Sequence, residues 1–266
     1  KMQGQIPAPT PTASRMQVLG MAAANGRPWT REETVAVLSL YCQIPFGKMH
    51  ARNPDVKRIA DHLDRTPSSV AFRLVNLASL DPEHQQRGVT GMKNASELDR
   101  QVWADFYGNW EALAQSAAAS IMFDHTEEVV QETEVLATVR VRRGQSFFRR
   151  TVCAAYDDRC CITGISSRAL LRASHIIPWS HDAAYRLDPR NGLALNALHD
   201  SAFDRGLITL DEDFRVLLSK HLADNMPRSV YKCFFENYAG KSIAMPSRFL
   251  PCDVHLTYHR THVFMN

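Results

Sequence analysis

Residues 161–210 read CITGISSRALLRASHIIPWSHDAAYRLDPRNGLALNALHDSAFDRGLITL, and the fold turns on how that stretch is parsed. His175 lies at the end of an apolar-rich run, 170–177. Asn191-Gly192 follows sixteen residues later, and His199, Asp200 and Asp204 then fall where a helix would start. An imidazole, a turn-forming amide and hard oxygen donors are thus gathered within about one supersecondary unit.

Just upstream, residues 140–150 read RVRRGQSFFRR, five arginines in eleven residues interleaved with Phe147 and Phe148. Guanidinium groups grip phosphates bidentately, and such a cluster is costly unless a polyanion or an acidic face meets it. The bland alternative is a solvated helix face paired with Glu127, Glu128, Glu132 and Glu134. Its position directly before the His/Asn/Asp stretch favours phosphate binding.

The N-terminal half reads as helical. Thr30 with Glu33 forms a capping box opening a helix through Val35, Leu38 and Tyr41. Asn53-Pro54 and Thr66-Pro67 each supply an N-cap followed by proline at the first helical position. Val56, Ile59, Ala60 and Leu63 make one apolar stripe; Val70, Leu74 and Leu77 make the next. The pair, 54–63 and 67–80, has the outline of a helix-turn-helix, or equally of two helices in an ordinary bundle. In the first case Ser68, Ser69, Phe72, Arg73 and Asn76 would be exposed, with Ser68, Ser69, Arg73 and Asn76 available to DNA. A further helix is expected over 96–119, crowded with Trp103, Phe106 and Trp110. Periodicity cannot separate Trp103, Tyr107 or Trp110 as base-stacking rings from core residues.

These signals divide the chain into a flexible Pro/Thr/Ala-rich arm (1–26), a helical DNA-binding domain (27–124), a linker (125–139) and a C-terminal domain (140–266). The composition, 45% hydrophobic with a formal charge of +3, is that of a globular protein with enough apolar residues for a core. No run approaches the roughly 18 apolar residues of a membrane span, and 16–24 lacks the features of a signal peptide. The six cysteines form no C-x-x-C pair, which argues against a zinc ribbon and fits a reducing cytoplasm.

The elements Arg143-Gly144-Gln145, Phe148-Arg149, Tyr156, Cys161 to Gly164, Leu170-Leu171, Ala173 to Ile176, Pro178-Trp179, Asn191 to Leu193 and Phe203-Asp204 resemble HNH endonucleases, particularly those of bacterial restriction-type nucleases. The resemblance continues to Leu256, His259-Arg260 and Phe264 and covers about half of the chain. Tyr41, Pro45 to Lys48 and Arg65 to Pro67 are similar, less specifically, to the helical domain that precedes such modules.

The resemblance implies an α+β chain, in which an N-terminal helical, helix-turn-helix-like domain precedes a ββα-metal nuclease domain. The first strand would end at His175, the second would run near 193–195, and the helix would start near Leu198. His175 takes the place of the general base, and Asn191 that of the amide that ties the loop and orients it. Ser174, Asp200 and Asp204 take metal-ligand places, with His199 serving if the register slips by one residue. Asp204 has a second reading, as a helix-end carboxylate bonding nearby backbone. Carboxylates in place of the usual histidine imply one Mg²⁺ or Mn²⁺ per site rather than Zn²⁺. Arg143, Gln145, Arg149 and Arg172, with His259-Arg260, are the phosphate-holding candidates. The implied substrate is double-stranded DNA, cut to 5′-phosphate and 3′-hydroxyl ends, with modified cytosine as one type of target. One such site cuts one strand, so a double-strand break needs a homodimer or successive nicks. Two alternatives remain: a DNA-binding regulator whose nuclease domain has decayed, and a nuclease acting on RNA.

Overall fold

The computed structural model describes residues 26–86, 95–116, 134–224 and 226–266. The arm expected at 1–26 lies, up to residue 25, outside the described residues.

Helix α1 (Arg31–Gln43) opens on the capping box: Thr30 Oγ1 accepts from the Glu33 amide, and Glu33 Oε2 accepts from the Thr30 amide. Every residue from Glu33 to Gln43 is buried, so α1 is the axis of the helical half and not a surface helix. Around it pack α2 (Pro54–His62), α3 (Pro67–Ala78), α5 (Glu97–Phe106) and α6 (Trp110–Gln115), with the short α4 (Pro82–Gln86) following α3 in the chain. Asn53 and Thr66 cap α2 and α3 as the sequence predicts, each with proline at the start.

Helix α3 does not present the expected face. Arg73 and Asn76 are buried. Arg73 Nε meets Asp99 Oδ1 at 2.8 Å, Nη2 donates to Thr34 Oγ1, and the guanidinium lies over Trp29. The reason is helical geometry: Arg73 falls three residues after Val70 and four before Leu77, inside the stripe that those residues bury. Ser68 and Phe72 stay exposed, and Ser69 is half-buried.

The helix expected over 96–119 is two helices. Gly108, at φ +93°, breaks it in a conformation that suits glycine, and Asn109 caps α6. Residues 117–119 lie outside the described set. Tyr107 stacks on Trp103, centroids 4.2 Å apart, and meets Trp110 edge-on at 5.2 Å, while Trp110 packs edge-on against Phe249.

The long helix α7 (Glu134–Ala155) joins the two halves. It begins inside the linker expected at 125–139; residues 125–133 of that linker lie outside the described set. One side of α7 packs on α1 and α6 and the other on the strand pair β1 (Leu171–His175) and β2 (Gly192–Asn196). The strands are antiparallel, with Ser174 opposite Leu193 and His175 opposite Gly192. A Cβ on Gly192 would come within 2.5 Å of the Val152 side chain and 2.9 Å of Phe148, so only glycine lets β2 lie this close to α7. Helix α8 (Ala197–Asp204) follows β2 directly and packs back on both strands. A second hairpin, β3 (Ile208–Leu210) with β4 (Val216–Leu218), then α9 (Arg228–Phe234) and α10 (Asp253–Tyr258) complete the chain. Among the described residues no helix is long and apolar enough to cross a membrane.

The buried apolar residues form one cluster running from Val35 to Leu256, so the two halves share a core. Arg248 fastens them. It is fully buried, its Nη2 donates to the Cys42 and Ile44 carbonyls at the end of α1, and its guanidinium lies over Tyr41 and Phe249. At the C-terminus His259 is buried and stacks on Phe203 of α8, its centroid 3.8 Å away. Its ring nitrogens meet Thr209 Oγ1 and the Phe203 carbonyl.

Two outcomes are expected. Arg248→Ala leaves two buried carbonyls without donors and should lower the unfolding free energy by about 3–5 kcal/mol; urea titration measures it, and the transition should stay single. Burial pushes the His259 imidazole down to about 4, from an ordinary 6.5. The unfolded chain therefore takes up a proton at pH values where the folded chain does not. Stability should fall as pH drops from 6.5 toward 4, by up to about 3 kcal/mol. Urea midpoints across that range should fall less steeply for His259→Gln.

Candidate active site

The end of β1 and one face of α8 wall a cleft of about 520 Å³. It brings together Ser174, His175, Asp200 and Asp204, with Gln145, Arg149 and Arg172 at its sides. Arg143, on the same helix as Gln145 and Arg149, is not part of this lining. Ser68, Ser69, Arg73 and Asn76 also lie outside it.

His175 is held on three sides. Its ring stacks on Phe148, with centroids 4.0 Å apart and planes 7° from parallel, and meets Trp179 edge-on. Its Nε2 is 2.9 Å from the Arg186 carbonyl oxygen. A carbonyl can only accept, so Nε2 carries the hydrogen and the neutral ring keeps a lone pair on Nδ1. Burial lowers the imidazole pKa below its ordinary value; the Arg186 carbonyl and the Asp200 charge oppose that shift. The ring is therefore neutral near pH 7, as a proton acceptor must be.

Asn191 supplies the frame for this arrangement. It is buried at the end of a 3-10 turn, Pro189–Asn191. Its Oδ1 accepts from the Ile177 amide, and its Nδ2 donates to the Ile177 and Tyr185 carbonyls. Its own carbonyl accepts from the Ile176 amide. These bonds span the loop between the two strands: one end is fixed just after His175, the other one residue before Arg186. An amide does this because it offers an acceptor and two donors on one short side chain.

Asp200 and Asp204 stand one turn apart on α8. Asn196 caps that helix through Oδ1, which accepts from the Leu198 and His199 amides. Ser174, on the neighbouring strand, places its hydroxyl 3.4 Å from Asp204 Oδ1. Both carboxyls titrate above their ordinary value. Loss of water raises each of them; for Asp204 the neighbouring Asp200 charge raises it further, while the Ser174 hydroxyl lowers both. Two arginines, Arg149 and Arg172, face the two carboxylates across the cleft, and burial of the carboxyls is the main cause of both upward shifts. That donor set, two carboxylates and a hydroxyl, suits a hard divalent cation. Among the described residues no group of three His, Cys, Asp or Glu side chains converges as a ready metal site.

Two sequence candidates fall away. His199 is buried and turned from the cleft: Nδ1 lies 2.8 Å from Asn196 Nδ2, and Nε2 lies 2.7 Å from the Phe234 carbonyl. One residue along a helix is a rotation of about 100°, so Asp200 and His199 cannot share a face. His259 is committed to Thr209 and Phe203 and holds no phosphate. Its neighbour Arg260 donates to the Leu210 carbonyl and Thr257. The Arg186 carbonyl, which fixes the His175 tautomer, could not be read from side-chain pattern, because a backbone oxygen leaves no mark in the sequence. The stacking role of Phe148 was within reach only through its place in the basic segment.

Comparison with curated proteins returns no match. Residues 160–211 match a protein family described as HNH endonuclease. That segment contains β1, β2 and α8 together with His175, Asn191, Asp200 and Asp204. Residues 160–211 of this chain are therefore an HNH endonuclease domain, and the activity such a domain implies is that of a nuclease acting on DNA.

Proposed function

We propose that the chain hydrolyses phosphodiester bonds of double-stranded DNA, with His175 as general base. Asp200 and Asp204, with the Ser174 hydroxyl, would hold one Mg²⁺ or Mn²⁺. The observation that carries this reading is a neutral imidazole of fixed tautomer lining the same cleft as two carboxylates one helical turn apart.

Nδ1 of His175 takes a proton from water as the water oxygen bonds to phosphorus; the bond from phosphorus to the 3′ oxygen then breaks. The Arg186 carbonyl stabilises the imidazolium that forms, since it already accepts from Nε2. Asn191 keeps the loop, and with it that carbonyl, in place. Arg149 and Arg172 flank the cleft as phosphate holders. A bound divalent ion supplies charge stabilisation at the phosphate and the departing oxygen. Restriction-type cleavage, with the helical half selecting the substrate and a homodimer making double-strand breaks, extends the same reading.

The serine at 174 favours one rival, a DNA-binding regulator with an inactive nuclease domain, because a hydroxyl is a weaker ligand than a carboxylate or imidazole. Digestion of plasmid DNA, unmodified and cytosine-modified, with Mg²⁺ or Mn²⁺ separates the two. Cleavage should be metal-dependent and fall by about 10² or more in His175→Ala, with DNA affinity retained. Equal behaviour of wild type and His175→Ala would leave the regulator. A parallel digestion of RNA tests the substrate class.

Asn191→Asp should act through the frame. It sets a carboxylate oxygen against the Ile177 and Tyr185 carbonyls, where the amide had donated. The unfolding free energy should drop by about 2–4 kcal/mol. The turnover rate should fall more than KM rises, which steady-state cleavage assays would show.

A further inference from the structure

A second cavity, of about 490 Å³, opens where the helical half meets α7 and β1. Its buried lining mixes apolar Ile44, Pro45 and Leu171 with the amides of Gln43 and Asn53. Five cations surround it: Lys48 and Arg58 from the helical half, Arg149 and Arg150 from α7, and Arg168 from the segment before β1. Only two carboxylates, Asp55 and Asp158, stand among them.

Those carboxylates are shared. Asp55 lies 3.7 Å from Arg58 and 3.4 Å from Arg150; Asp158 lies 3.3 Å from both Lys48 and Arg168. Each can balance one positive charge, so among the described residues that line the cavity three cations are in surplus. Arg150 shows the strain of that excess: burial lowers its pKa, and the Arg58 and Arg168 charges lower it further against the pull of Asp55. An uncompensated cationic concavity is a site for an anion.

The cavity also continues the catalytic cleft. Arg149 lines both, and the consecutive β1 residues Leu171 and Arg172 line one each. No aromatic ring lines it among the described residues, so it offers an extruded base no stacking surface. It suits sugar and phosphate. Helix α3, by contrast, has its one arginine bound to Asp99 and covered.

We propose that this cavity binds a backbone phosphate of the strand whose scissile phosphate lies in the catalytic cleft, so that both halves of the chain form one phosphate clamp. The inference rests on the nuclease reading and deepens it. The helical half contributes Lys48 and Arg58 to holding DNA, by charge and not by reading bases with α3.

The test uses the full chain carrying His175→Ala, a labelled DNA duplex and fluorescence anisotropy between about 50 and 200 mM salt. Lys48→Gln, Arg58→Gln and Arg168→Gln alter side chains that reach solvent. Each should weaken binding about 3- to 10-fold, equally on unrelated sequences, and reduce the slope of log affinity against log salt by about 1. Arg58→Lys keeps the charge and should retain most of the affinity, which separates a lost contact from a lost fold. Unchanged affinity and slope in all three variants, with a parent chain that cuts DNA before the His175 substitution, would overturn the clamp alone. A parent chain that neither binds nor cuts DNA would overturn the nuclease reading, and the clamp with it. Thermal protection by inorganic phosphate or a mononucleotide, abolished in the variants while DNA affinity stays at the parent value, would make the cavity a small-anion site and also overturn the clamp.

Discussion

The hydrogen bond from His175 Nε2 to the Arg186 carbonyl is the constraint on which the site depends. It places the hydrogen on one nitrogen and leaves the other able to accept a proton. Arg186 lies eleven residues after His175 in a loop whose regular structure is two short 3-10 turns, Ala183–Tyr185 and Pro189–Asn191. Such a loop would not hold a carbonyl in place by itself. Asn191 does so by bonding to Ile177 and Tyr185, which ties both ends of the loop to the strand pair. The strand pair is in turn seated on α7, where Gly192 permits an approach that any side chain would block.

Helix α7 therefore has two tasks that the sequence shows as one basic stretch. Phe147 and Phe148 are buried, and Phe148 is the surface on which the His175 ring lies. Arg149 and Arg150 follow on the same helix and face the cleft and the neighbouring cavity. Interleaving aromatics with arginines lets one helix carry core on one side and charge on the other. Because α7 packs on α1 as well as on β1 and β2, it joins the strand pair to the helical half. Arg248 adds to this by closing the end of α1 from the C-terminal side.

The charges are laid out in two neighbouring regions: a cleft where two carboxylates face Arg149 and Arg172, and a cavity rich in cations. The cleft holds two carboxylates whose protonation is eased by burial and, for Asp204, by the neighbouring Asp200 charge. The cavity beside it holds more cations than its carboxylates can balance. A divalent cation suits the first and a polyanion the second, and Arg149 stands where they meet.

The sequence alone determined what depends on local chemistry. Caps at Thr30, Asn53 and Thr66 are readable because capping acts over a few residues, whereas the two strands, the helix after them and the roles of His175, Asn191, Asp200 and Asp204 were legible through the resemblance to HNH endonucleases. Only tertiary structure decided the rest. Arg73 looked like an exposed contact until Asp99, twenty-six residues on, and Trp29 closed over it. His199 stayed open beside Asp200, should the register slip by one residue, until the packing of α8 on the strands turned it from the cleft. The expected linker between domains is partly a helix, with a common core on either side, because the apolar face of α7 has partners in both halves. Burial of a polar side chain, the carbonyl that receives an imidazole hydrogen and the surplus charge of a cavity all arise from residues far apart in the chain. Their energies come from proximity in space, which no local pattern encodes.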